Sequence, residues 1–226
     1  MSFFAAYKKF FVVFGVVSMG IMFLFYNALK PKDTLPIYQP TMVTSALVDS
    51  KVQHIKKYHQ IADFKLLNQN GDTITQDFYA GKIYIADFFF TTCITICPMM
   101  TENMAKIQAA TLNDPSVLLL SHTVTPEIDS VAQLKKYALE KGVIDTKWNL
   151  VTGDKKQLYE LARKSYLVAK EEGDGGPFDM IHTENFVLVD SKKRIRGYYD
   201  GTNPKDIEQL LADLKILKAL EAARVQ

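Results

Sequence analysis

Cys93 and Cys97 are the only cysteines in this 226-residue chain, and they stand as Cys-Ile-Thr-Ile-Cys-Pro directly after the apolar run 83–90. A buried strand that ends in a paired-thiol turn, with a proline placed to open the next helix, suits thiol–disulfide exchange or capture of a soft metal ion. The N-terminus of that helix offers free N–H groups and the positive end of its dipole. Both favour thiolate over thiol, the form that either chemistry needs. Residues four apart on a helix hold their Cβ atoms about 5–6 Å apart, whereas a disulfide wants about 3.5–4.5 Å. A metal ion between two sulfurs tolerates the wider gap, so the spacing leans toward a metal. A structural disulfide stays open as a third reading, although such staples usually close longer loops.

Two thiolates alone are an incomplete site for most metals, which brings the four histidines into question. His182 lies between a glycine-rich loop (Gly173, Gly175, Gly176) and an apolar strand over 186–189. It is either a ligand that reaches across to the thiol turn or a hydrogen-bonded loop histidine. His122 ends a buried strand and reads as packed or capped, while His54 and His59, in or near a linker, read as solvated. Met99, Met100 and Met104 adjoin the thiols and could offer thioethers. Residues 100 and 104 share a helix face, however, and core packing is their simpler role.

The elements that position these groups follow from periodicity and punctuation. Residues 10–29 carry no charge, and 20 residues meet the length needed to cross a bilayer. Lys8 and Lys9 precede this span and no acidic residue occurs in the first 32 positions. The reading is an uncleaved membrane anchor over 1–29, with the N-terminus cytoplasmic and the rest extracytoplasmic. A cleaved signal peptide fits less well, because the apolar stretch exceeds the ~7–15 residues of an h-region and no small-x-small site follows. The two lysines account for the whole formal charge of +2, so the exported part is neutral and nothing marks it as a nucleic-acid binder. Residues 30–58, with Pro31, Pro36 and Pro40, read as a linker, and 59–226 as one domain with a sizeable core.

Within that domain strands and helices alternate. A hairpin is expected over 64–75 across Asn70-Gly71-Asp72, and a second over 186–199. Buried strands are expected over 83–90 and 117–121, a short strand over 149–151, and helices over 98–110, 129–141 and 154–166. Asn203 can cap a final helix that Pro204 opens and that carries Ile207, Leu210, Leu211, Leu214 and Leu217 on one stripe. The class is α/β, a central sheet with helices on its faces. It puts the thiols at the carboxyl end of a central strand, where open sheets bind their ligands.

Taken together, FFFTTCITICPMM, the hairpin FKLLNQNGDTITQDFYAGK, WNLVTGD and IHTENFVLVDSKKRIRGYYDGT resemble the SCO/SenC family of membrane-anchored, thioredoxin-like proteins. The resemblance runs from about Phe64 to the C-terminus. It implies a thioredoxin-like fold, a mixed sheet flanked by helices, and copper held by Cys93, Cys97 and His182. It also implies a role in assembling the binuclear copper centre of cytochrome c oxidase, as copper donor, as reductant of the recipient cysteines, or as both. Two features depart from the pattern. Ile181 stands where many members have an acidic residue, and Thr125 stands where Asp often precedes the proline. Asp87 and Asp129 remain as acidic neighbours, with structural roles the simpler expectation for each.

Two thiolates and an imidazole are soft donors matched to Cu(I), and an open site of that kind can pass its ion on by exchanging ligands one at a time. Cu(II) would need a further weak ligand or water. The leading expectation is therefore a metallochaperone whose partner is a copper-accepting subunit of cytochrome c oxidase or another cuproprotein, with a monomeric extracytoplasmic domain. The alternative is a thiol–disulfide oxidoreductase in which Cys93 attacks and Cys97 resolves. A peroxidase is more remote, since no threonine and arginine are arranged around a peroxidatic cysteine.

Overall fold

The computed structural model describes residues 7–29, 34–44, 47–48, 50–169, 181 and 183–223. The chain forms two compact units, 1–34 and 35–226. The first is the helix α1 (Lys8–Leu29), apolar nearly all round and long enough to cross a membrane by length and composition.

The second unit is built on a seven-stranded sheet in the order β2-β1-β5-β4-β3-β6-β7. These strands are β1 (Lys65–Asn68), β2 (Thr73–Thr75), β3 (Ile83–Phe89), β4 (Val117–Thr123), β5 (Trp148–Thr152), β6 (Asn185–Val189) and β7 (Ile195–Asp200). β3, β4 and β5 are parallel, and the flanking strands join antiparallel. β3 and β4 are buried at every position, which is why both read in sequence as apolar runs without alternation. Their pairing is in register from Ile83 beside Val117 to Phe89 beside Thr123, so the two strands end level.

Each face of the sheet carries its own core. Ile83, Ile85 and Phe89 meet α2 (Cys97–Thr111), α3 (Val131–Lys141) and α5 (Pro204–Ala222) through Met100, Met104, Ile107, Leu134, Leu210, Leu214 and Leu217. Tyr84, Ala86 and Phe88 meet the other layer, which includes Leu158 of α4 (Lys155–Glu160), Tyr166, Val168 and Ile181. The mixed sheet flanked by helices is the architecture expected from the sequence, and the cap expected at Asn203 is present, its side chain accepting from the Lys205 N–H. Gly142 closes α3 with φ +69, a left-handed position suited to glycine. The helix expected over 154–166 differs. After Glu160 it widens into a π turn over Leu161–Ser165, closed by the Tyr166 N–H donating to the Leu161 carbonyl at 2.8 Å.

Among the described residues of the stretch read as a linker, those from Leu35 onward belong to this second unit. The unit begins at Leu35, the Tyr38 N–H donates to the Ile195 carbonyl at 2.9 Å, and Val48 and Ile61 are buried in the core. Arg196, 2% exposed, holds this segment: its Nε and Nη2 donate to the carbonyls of Pro36 and Leu35, both at 2.8 Å, while Nη1 pairs with Asp190 at 3.2 Å. The expected solvation of His59 is therefore corrected. Its ring is buried, with Nε2 2.8 Å from the Ser165 carbonyl, and burial lowers its pKa. His54 is exposed, as expected.

Removing a buried guanidinium strands the groups that it satisfies. Arg196→Leu removes the donor that the Leu35 and Pro36 carbonyls share and one partner of the buried Asp190 carboxylate, and is expected to cost about 3 kcal/mol of unfolding free energy. Urea denaturation measures this, and a loss under 1 kcal/mol would show that the clamp is dispensable.

Candidate functional site

The dithiol turn starts where β3 runs out. The chain leaves the sheet after Phe89, the Cys93 N–H donates to the Phe90 carbonyl at 3.3 Å, and α2 opens at Cys97. Helix α2 starts without a conventional cap. Its N-cap residue, Ile96, has no side-chain oxygen to offer, and Pro98 has no N–H to satisfy. The vacant acceptor position is taken by sulfur: the Cys97 N–H donates to Cys93 Sγ at 3.4 Å. The Thr95 hydroxyl lies 3.5 Å from the same sulfur.

Both cysteines are free thiols, in very different settings. Cys93 is half-buried. Partial burial pushes its thiol up, but hydrogen bonds from the side chains and backbone amides of Cys97 and Thr95 outweigh this and bring it down to about 7. Cys97 is 3% exposed, packed in the core beneath α2. Burial, then its hydrogen bond to the Cys93 sulfur, pushes it up to about 12. Cys93 therefore ionises near neutral pH while Cys97 stays protonated, so the pair shares one proton once Cys93 has lost its own.

Two buried carboxylates flank the turn. Asp87 lies on β3, in the alternation that faces α2, and is 2% exposed. Burial raises its pKa to about 7 against a hydrogen bond from Ser121, whose Oγ accepts the Trp148 indole N–H at 2.8 Å. Its Oδ1 has no partner, so the neutral acid is the favoured form. Asp129, expected to be a strand-end or cap residue, is instead a fully buried clamp. It accepts from the Thr91 N–H and from the hydroxyls of Thr91, Thr123 and Thr125. The cap of α3 is its neighbour Ser130, which accepts from the Gln133 N–H.

The histidines and methionines divide clearly. His122 is fully buried on the other face of the sheet, stacked on Phe88 at 4.8 Å, with Nδ1 3.3 Å from the Asp87 carbonyl. Burial lowers its pKa to about 3 against that backbone bond, so it is a neutral core histidine, as read from sequence. His182 lies outside the described residues. Among the described residues no group of three His, Cys, Asp or Glu side chains comes together around a metal position. Met100 and Met104 are core residues, and Met99 is exposed. Sequence reasoning missed Thr95 as a partner of the Cys93 sulfur. The signal was available, since a hydroxyl two residues from a thiol in a turn can reach it.

Comparison with known proteins points one way. The family model described as SCO1/SenC matches residues 52–219. A protein of Bacillus subtilis (strain 168), named SCO1 protein homolog, is 30% identical over 167 residues, covering 72% of this chain and 85% of its own. The structure of BsSco, described as a member of the Sco family of cytochrome c oxidase assembly proteins with a disulfide switch, matches with TM-score 0.60 and 29% identity. The match covers 70% of this chain and 93% of that one. The structure of Arabidopsis thaliana ScoI with copper bound matches with TM-score 0.55 and 25% identity over 70% of this chain and 98% of that one.

Two outcomes follow from the electrostatics. Iodoacetamide should alkylate Cys93 of the reduced protein with a half-maximal rate near pH 7, while Cys97 stays unmodified. Mass spectrometry of the digests reads both, and equal labelling of the two thiols would contradict the asymmetry. For Asp87 the folded pKa lies above the unfolded one, so wild type loses stability as pH rises from about 4 through about 7. Asp87→Asn removes that loss. Its unfolding free energy should gain on wild type between pH 4 and pH 8, by at most about 4 kcal/mol at about 1.4 kcal/mol per pKa unit.

Proposed function

The chain belongs to the SCO1/SenC family, and on that footing we propose that it is a copper-binding metallochaperone that helps assemble the copper centre of cytochrome c oxidase. The observation that carries the proposal is the sulfur-capped turn, in which Cys93 Sγ and the first residue of α2 meet through one N–H···S bond at the end of β3. The family's copper ligands map onto Cys93, Cys97 and His182. Two thiolates and an imidazole suit Cu(I), and the donors present fit it: one sulfur is ionised near neutral pH, and the second gives up its proton when the ion binds. Copper is cargo here. Cys93, half-buried at the turn, is the ligand from which an acceptor subunit takes the ion, and buried Cys97 is the anchor.

Helix α1 anchors the protein in a membrane, with Lys8 and Lys9 on the cytoplasmic side and the sheet domain, monomeric, on the extracytoplasmic side. The copper-binding domain proper spans 59–226, and 30–58 joins it to the anchor, with the part from Leu35 onward packed on the domain.

The asymmetry of the thiols also supports a second activity at the same residues. The Cys93 thiolate attacks a disulfide of the acceptor, forming a mixed disulfide and expelling one acceptor thiolate. Cys97, once deprotonated, attacks Cys93 Sγ and expels the second. Two electrons pass to the acceptor, and the Cys93–Cys97 disulfide is left behind.

Anaerobic Cu(I) titration against a chelator, on the full chain in detergent, tests the first reading. Reduced wild type should hold one copper per chain, and His182→Ala should lose at least about tenfold in affinity while keeping its dithiol exchange. Failure of reduced wild type to retain copper sinks the chaperone reading. Full copper affinity in His182→Ala removes that histidine from the ligand set.

A further inference from the structure

Asp129 is a carboxylate with no exposure to solvent, yet it sits at the rim of the sheet where the dithiol turn begins. Burying an ionised carboxylate is unfavourable unless each lone pair finds a donor. Here the donors come from three threonines. Thr91 supplies its N–H, at 3.4 Å to Oδ1 and 3.2 Å to Oδ2, and its hydroxyl, at 2.5 Å to Oδ1. Thr123 and Thr125 supply hydroxyls to Oδ2 at 2.5 and 3.1 Å. Thr91 is held a second time, because its Oγ1 accepts from Gln133 Nε2 on α3 at 3.1 Å.

The geometry of these bonds has a direction. Thr123 ends β4, Thr125 follows it, and the N–H groups of Ile128 and Asp129 both donate to the Thr125 carbonyl at 2.9 Å, so this side is a closed, rigid frame. Thr91 belongs to the other side, two residues before Cys93 in the stem of the thiol turn. We propose that Asp129 is a positioning residue for the dithiol. It ties the stem of the Cys93 turn to the frame after β4, and so fixes Cys93 Sγ over the Cys97 N–H at the mouth of α2. The copper part of its test rests on the proposed function, but the thiol part does not.

The test compares reduced full chain in detergent as wild type, Asp129→Ala, Thr91→Val and Ser130→Ala. Ser130→Ala removes the cap of α3 next door, a bond to the Gln133 N–H, and leaves every donor to Asp129 and the Gln133 side-chain bond to Thr91 in place, so it lowers stability with little expected effect on the turn. The first readout is the ratio of Cys93 to Cys97 alkylation at pH 7, and the second is Cu(I) affinity by chelator competition. Asp129→Ala and Thr91→Val should lower the alkylation ratio by about fivefold or more and copper affinity by about tenfold or more. Ser130→Ala should stay within twofold of wild type in both, although its thermal midpoint falls. If Asp129→Ala does not fold, Thr91→Val decides alone. Thr91→Val within twofold of wild type, or Ser130→Ala moving as far as the other two, overturns the proposal. If wild type binds no copper, the alkylation ratio still decides whether Asp129 positions the turn, while the copper reading fails separately.

Discussion

Covered on both faces, β3 and β4 can lead into the rest of the chain only at their ends, and there every polar group that leaves the ladder must find a partner. That constraint shapes the rim above the sheet. The two strands stop level, at Phe89 and Thr123, so the chains leaving them lie side by side with buried and half-buried hydroxyls and amides. One buried carboxylate collects them. Satisfying the rim in this way leaves the next turn, with Cys93 at its start, free to meet solvent, and function settles at that boundary.

The two thiols differ because they stand on opposite sides of that boundary. Cys97 is the first helical residue and is packed among Met100, Phe89 and the apolar face of α2, an environment that disfavours charge. Cys93 is the acceptor that the helix lacks, an arrangement in which charge on sulfur is favoured. The contrast follows from one local choice, an isoleucine at the N-cap and a proline behind it.

Much of this was legible in the sequence, and the rest was hidden for a physical reason. β3 and β4 announce themselves because two-sided burial demands continuous apolar runs, and α5 because Asn203, Pro204 and a leucine stripe state its start and inner face. The thiol turn is visible because cysteine is scarce and chemically distinct. By contrast, the clamp at Asp129 draws on threonines at 91, 123 and 125, and hydroxyls carry no periodic signal that pairs residues so far apart in the chain. His59 looks like a linker histidine until the Ser165 carbonyl, 106 positions away, closes on it. The docking of Leu35 and Pro36 draws on Arg196, a side chain read from sequence as part of an ordinary hairpin. Long-range polar contacts determine these features, and local pattern is blind to them.

The sulfur cap has one more consequence. An N–H that donates to thiolate sulfur shares its proton with whatever charge that sulfur carries, so the backbone amide of Cys97 is a resident gauge of the state of Cys93. Ionisation, a bond to a second sulfur, or sharing of the lone pairs with an ion each changes the electron density that this amide proton feels. The turn therefore carries its own reporter, in a single resonance at the start of a helix. The same bond couples sulfur chemistry to how firmly the first turn of α2 is wound.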